Sequence, residues 1–310
     1  MTEEPRGTET FRRAAWIYLA YVVGVIAWGA YVRVSFSGDG CGEHWPDCNG
    51  QIVPVHGSTK QAVEYAHRVT SGLAGLLAVA FVGYARRVFP RGHAVRAAAG
   101  WGLFFMITEA LLGAALVKLR MVGSNTAVER GYWSAGHLCN TFALLFAITR
   151  MAIAAHGVGP FSVAGRRAVV VQLGGGFVAL LVVGMTGAIA ALGDTLFPAQ
   201  SLGHGIVQDF DPSSHPFLQL RAFHPLFALG AATYLLYVAW TMAAQEADGR
   251  LLRASRAVIA IVVVQVALGF LNLALLAPTV LQIAHLVVAD ALWASLTVLA
   301  SLALTSRPAA

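Results

Sequence analysis

The chain is short of charge. Only 12% of its 310 residues are Asp, Glu, Lys or Arg, while 57% are hydrophobic; a soluble domain carries about 25% charged residues. So few charges cannot cover the surface of a water-soluble protein of this size, which makes an integral membrane protein the default class. The formal net charge of +6 is then no nucleic-acid signal. Its meaning lies in which loops hold the arginines, and no nucleic acid is expected as a partner. Cysteine is also scarce: Cys41 and Cys48 share one loop, and Cys139 lies inside an apolar stretch. The first apolar run lacks a small-x-small cleavage site after it, so it reads as a retained helix and not as a signal peptide.

What the chain does have is long apolar runs. Eight stretches of membrane-spanning length fall at approximately 14–34, 63–85, 97–118, 132–154, 168–191, 217–243, 254–277 and 280–304. An even number puts both termini on one side. Arg6, Arg12 and Arg13 precede span 1. Arg86, Arg87, Arg91 and Arg96 join spans 2 and 3, and Arg150, Arg166 and Arg167 join spans 4 and 5. Arg250, Arg253 and Arg256 join spans 6 and 7, and Arg307 follows span 8. Positive loops stay in the cytoplasm, so both termini are expected there, in a multi-pass protein of the cell membrane. The loop around 192–216 is acidic, with Asp194, Asp209 and Asp211.

Four histidines, His67, His137, His224 and His285, each sit near the start of an even-numbered span. Even spans enter from the outer face, so all four belong at one depth, near the extracytoplasmic side. The surrounding sequence repeats. Glu64-Tyr-Ala-His67 matches Arg221-Ala-Phe-His224, Thr108-Glu109-Ala-Leu-Leu-Gly113 matches Val264-Gln265-Val-Ala-Leu-Gly269, and Ala135-Gly-His137-Leu matches Ile283-Ala-His285-Leu. The expected fold is all-α: eight transmembrane helices as two pseudo-symmetric four-helix bundles, residues 1–160 and 161–310, in a parallel repeat about the membrane normal.

A lone intramembrane histidine is often a packing residue, but four at matching depth in two repeated pairs read as functional. Two imidazoles facing across a four-helix bundle, with no thiolate or carboxylate cluster beside them, suit a six-coordinate haem iron; zinc would want three or four protein ligands. Glu64 shares a helical face with His67. It either pairs with Arg68 or holds a carboxylate against the edge of whatever His67 ligates, taking protons or stabilising positive charge. The equivalent of Glu64 in the second half is Arg221, and that of Arg68 is Pro225, so the halves keep their histidines and diverge beside them. The N-terminal pair is therefore expected to handle a substrate, and the C-terminal pair to hold a permanent cofactor with Arg221 near its propionates. Arg33, Lys60 and Lys118 snorkel to the outer interface, where Arg33 can also meet a propionate. Cys41 and Cys48 lie on the oxidising face at a spacing that allows a disulfide, either a staple or a redox-responsive element. Cys139 reads as packing. Glu109, opposite Gln265 in the repeat, is either a helix contact or part of a proton path, and Asp290 is similar and weaker. His44, His56, His204 and His215 in outer loops, and His93 and His156 in inner ones, read as solvated.

Taken together, the eight spans, Glu64-x-x-His67-Arg68, the three later histidines and the loop Trp45-Pro-Asp-Cys-Asn-Gly50 resemble the haem A synthase family over nearly the whole chain. The resemblance implies that the C8 methyl of haem O is oxidised to a formyl group, giving haem A for terminal oxidases. It assigns His67 and His137 to the substrate haem and His224 and His285 to a haem b, with Glu64 essential and Cys41–Cys48 as the family's cysteine pair. The second pair of many bacterial members, after span 5, is missing, which excludes a thiol relay there. Implied partners are membrane lipid, a haem O synthase (prenyltransferase) and cytochrome oxidase assembly. The alternative is a non-catalytic bis-histidine di-haem electron carrier linked to quinone.

Overall fold

A computed structural model describes residues 7–54, 57–244 and 249–305; Arg6, His56 and Arg307 lie outside this set. Its regular structure is helical: α1 Thr8–Val34, α2 Thr59–Val88, α3 Ala94–Lys118, α4 Glu129–Ala155, α5 Arg167–Leu196, α6 Leu202–Phe210, α7 Pro216–Arg221, α8 His224–Ala244, α9 Gly249–Ala274 and α10 Thr279–Ala303. Eight spans are long and apolar enough to cross a bilayer, the sixth being α7 and α8 together. The protein is a multi-pass membrane protein. Its outward faces are apolar, with Trp101, Val171, Trp240 and Val263 exposed, as contact with lipid requires.

The helices overrun the apolar stretches because polar end turns continue them. Ser58 caps α2 by accepting from the Gln61 N–H (3.3 Å), and His93 caps α3 through Val95 N–H (3.2 Å). Burial pushes the His93 imidazole below its ordinary pKa, which favours the neutral, accepting form. One departure from the sequence reading precedes the sixth span: the acidic loop contains a helix, α6. The span itself breaks at Ala222–Phe223, in keeping with the kink that Pro225 signals, because Pro225 has no N–H to offer the carbonyl of Arg221. A second departure concerns Arg150, which is not in a loop: it lies buried in α4, donating to Gly159 O (3.0 Å) and stacking on Phe161.

Helices α1 to α4 pack as a closed set, with α1 against both α2 and α4; α5, α8, α9 and α10 form a second, with α5 against both α8 and α10. The sets meet where α4 touches α5 and α10, and where α1 touches α10. Accordingly α4 is the most buried span and α10 the next. At the seam Phe142 of α4 stacks on Trp293 of α10 with centroids 4.4 Å apart, and Phe177 of α5 meets the same indole edge-on at 5.0 Å. Gly184 of α5 makes the close approach possible: a Cβ there would lie 2.7 Å from Leu138 and 2.9 Å from the Phe142 ring. Arg33 adds a polar tie, donating from α1 to Ala191 O (2.5 Å) and Thr195 (2.9 Å) of α5 and to Gln282 (3.1 Å) of α10. It bridges the sets and does not snorkel. Overpacking such a seam costs about 1–3 kcal/mol, so Gly184→Val should lower the thermal midpoint of the detergent-solubilised protein, followed by helicity; an unchanged midpoint would mean that the seam is loose.

Candidate functional site

One cavity of about 1550 Å3 runs through both sets and is lined by all four histidines. His67, His137 and His224 lie eight residues into their spans, after Thr59, Glu129 and Pro216, and His285 lies six after Thr279. Glycines on neighbouring helices make room for three of the rings. A Cβ at Gly29 of α1 would lie 3.0 Å from the His67 ring, one at Gly187 of α5 3.0 Å from His224, and one at Gly269 of α9 3.3 Å from His285. The neighbouring helix is thus cut back where the Cε1 edge of each of these three imidazoles approaches it.

A buried imidazole must satisfy two nitrogens. His224 Nδ1 meets the Thr186 hydroxyl at 3.1 Å, leaving Nε2 for another partner. His285 Nε2 meets Gln265 at 3.2 Å, and His137 Nε2 lies 3.6 Å from Glu109 Oε1. The Nδ1 atoms of His67, His137 and His285 are buried without a partner. Each ring therefore keeps a nitrogen able to ligate, and the cavity walls are mostly apolar. Among the described residues no group of three or more His, Cys, Asp or Glu side chains converges as a metal cluster would. Each pair offers two imidazoles, which is the donor set a planar iron macrocycle needs on its two faces.

Glu64 is buried beside His67 but its carboxylate is occupied. Oε2 accepts from the Cys41 N–H at 2.8 Å, and Oε1 from Arg68 Nε at 3.1 Å. Arg68 also donates to the backbone carbonyls of His44 (2.6 Å) and Asp47. Cys41 and Cys48 are disulfide-bonded and fully buried, and Gln61 reaches Cys48 Sγ at 3.4 Å. The first turns of α2 thus hold the disulfide loop over the cavity, where Trp45 and Pro46 join its lining. Glu64 pairs with Arg68 and also lines the cavity.

Across the repeat, Arg221 is held by Asp194 (2.8 Å) and Asp209 (2.6 Å), with Gln208 at 3.4 Å. So a residue three before the histidine fastens the capping loop in each half, an acid in one and a base in the other. All three propionate candidates, Arg33, Arg68 and Arg221, line the cavity, and each is already engaged by protein partners. The other described histidines serve turns and caps: His204 and His215 accept backbone N–H groups, His156 accepts from Trp16, and exposed His44 lies 3.5 Å from Asp47. Asn140, Thr141 and Thr186 went unremarked in the sequence, where a hydroxyl or amide in an apolar run carries little signal. The histidine register applied to each flanking helix would have drawn attention to them.

The Gly40 backbone passes so close to α2 that a Cβ there would lie 2.6 Å from backbone atoms of Lys60 and Gln61, which cannot move aside. Gly40→Ala should lift the loop off α2 and speed reduction of the disulfide by dithiothreitol several-fold. Reduction at the wild-type rate would mean that the loop does not depend on this contact.

Residues 12–297 match the family model COX15-CtaA, described as cytochrome oxidase assembly protein. A protein of Thermus thermophilus named Protoheme IX farnesyltransferase is 40% identical over 298 residues, which cover 94% of this chain and 49% of that protein. A Heme A synthase of Symbiobacterium thermophilum is 39% identical over 129 residues, covering 42% of this chain and 41% of the relative. One of Exiguobacterium is 36% identical over 93 residues, covering 30% and 31%. The chain thus spans about half the length, or less, of the curated relatives it matches.

Proposed function

The chain belongs to the COX15-CtaA family of cytochrome oxidase assembly proteins, and from that premise we propose that it is a haem A synthase, oxidising the C8 methyl group of haem O to a formyl group. The observation that carries this reading is the single apolar cavity lined by two histidine pairs, with the carboxyl groups of Glu64 and Glu109 beside the first. His67 and His137 would hold the substrate haem, and His224 and His285 would hold a haem b, which would supply one-electron redox chemistry. Unpartnered ring nitrogens and the glycines opposite three of the imidazoles support that fit.

Replacing two C–H bonds of the methyl group by one C=O, balanced with water, releases four protons and four electrons, and the electrons pass to an oxidant outside this chain. Glu64 lies where it can receive a proton or stabilise charge at the haem edge, and Arg68 and the Cys41 N–H fix its orientation. The disulfide loop, pinned by the same groups, keeps water from that edge. The substrate's prenyl tail lies among the spans or in lipid. From the arginine bias of the loops we infer cytoplasmic termini and histidines toward the extracytoplasmic face of the cell membrane. Haem O would come from a prenyltransferase, and haem A would pass to oxidase assembly.

The farnesyl transfer named for the Thermus relative belongs to a protein about twice as long. The family model that matches residues 12–297 is the one for cytochrome oxidase assembly, and we assign this chain to the oxidation on that ground.

Expression in cells that make haem O but no haem A tests the reading: extracted haem should shift from O to A. Haem bound without conversion would identify a di-haem electron carrier. Glu64→Gln should retain haem and lose about 10²-fold or more of the conversion rate, the scale of general acid–base assistance; normal conversion would remove Glu64 from the chemistry. His224→Ala and His285→Ala should each lose the low-spin spectrum of the resident haem, and its persistence in both would refute the C-terminal assignment.

A further inference from the structure

Glu109, like Asp290, lines the cavity and is not used by this mechanism. Its oxygens face donors. The Thr141 hydroxyl bonds Oε1, Asn140 Nδ2 lies 2.6 Å from Oε2, and His137 Nε2 lies 3.6 Å from Oε1. The orientation of the Asn140 amide is settled by its surroundings. Its Nδ2 also meets the carbonyl of Phe105 at 2.9 Å, which can only accept, and its oxygen takes the Thr108 hydroxyl at 2.6 Å. Thr108, Glu109, Asn140 and Thr141 thus form one network across α3 and α4, built around a histidine of the first pair. Among the described residues no Lys or Arg pairs with Glu109, whereas Glu64 is neutralised by Arg68.

The second half keeps the contact and loses everything behind it. Gln265 stands in register with Glu109 and touches His285 at 3.2 Å. The positions matching Thr108, Asn140 and Thr141 are Val264, Val288 and Ala289, and the Gln265 carbonyl oxygen is buried without a partner. An amide placed against an imidazole needs only a helix neighbour. A carboxyl group with two dedicated donors on its other sides has been set against His137 in particular.

We propose that Glu109, held by Asn140 and Thr141, is a positioning residue for His137: it fixes the ring by accepting its N–H, and gives iron bound at the N-terminal pair a more electron-rich ligand than iron bound at the C-terminal pair. A carboxylate behind a metal-bound imidazole raises the basicity of the ligand and favours the higher oxidation state. The two sites then differ in potential, with the lower one where oxidation of the substrate is proposed. The inference rests on the reading of His67 and His137 as a haem-binding pair.

The test is a redox titration followed by the visible spectrum, on full-length protein loaded with protohaem as the probe. His224→Ala isolates the N-terminal site, and haem stoichiometry there decides the underlying reading separately: no haem bound would overturn that reading and this inference with it. With haem bound, Glu109→Gln, which copies the residue of the other half, should raise the potential of the N-terminal site. A tenfold change in its oxidation equilibrium corresponds to about 59 mV for a one-electron couple. Gln265→Glu should lower the potential of the C-terminal site in a His67→Ala background. An unshifted potential in both variants, with low-spin spectra intact, would overturn the proposal. So would a shift in Glu109→Gln confined to the haem that His224→Ala removes.

Discussion

An imidazole inside an apolar bundle has two nitrogens to satisfy and little but side chains of neighbouring helices to satisfy them. That constraint organises this molecule. It explains why glycine stands opposite His67, His224 and His285, why a threonine, a glutamine and a glutamate lie beside three of the rings, and why nitrogens are left over facing apolar walls. The leftover nitrogens are costly in the protein alone. Under the proposed reading, haem iron would take up nitrogens of these rings.

The same logic extends to the capping loops. Each set of four helices has a loop folded over its histidines, and each loop is fastened by the side chain three residues before the first histidine of the set. Glu64 uses Arg68 and the Cys41 N–H, whereas Arg221 uses Asp194 and Asp209. One acid with one base at the first site, against one base with two acids at the second, leaves different electrostatics at the two ends of one cavity.

Much of this could be read from the residues. Eight apolar runs located eight spans, because hydropathy over a helix length responds to the same burial that the bilayer demands. The four histidines stood out because a polar ring is rare in such runs. What escaped was short or depended on neighbours. Helix α6 has nine residues that mix Leu202, Ile206 and Phe210 with His204, Gln208 and Asp209, too brief for a spanning window. The break at Ala222–Phe223 was half visible, since Pro225 announced a disturbance but not its place. Arg33 looked like a cation reaching for the outer surface; its acceptors on α5 and α10 lie far along the chain, and nothing local to it names them. Asn140 and Thr141 acquire meaning only once α3 is known to pack on α4.

That arginine bears on how a large flat ligand gets in. Arg33 reaches from the first set of helices into the second, and its donors are matched to a carbonyl, a hydroxyl and an amide there. Rocking the sets apart, as alternating-access transporters do, would break all of these bonds at the end of α1. The proposed haem can keep them intact by entering through gaps between neighbouring helices or under a loop swung clear.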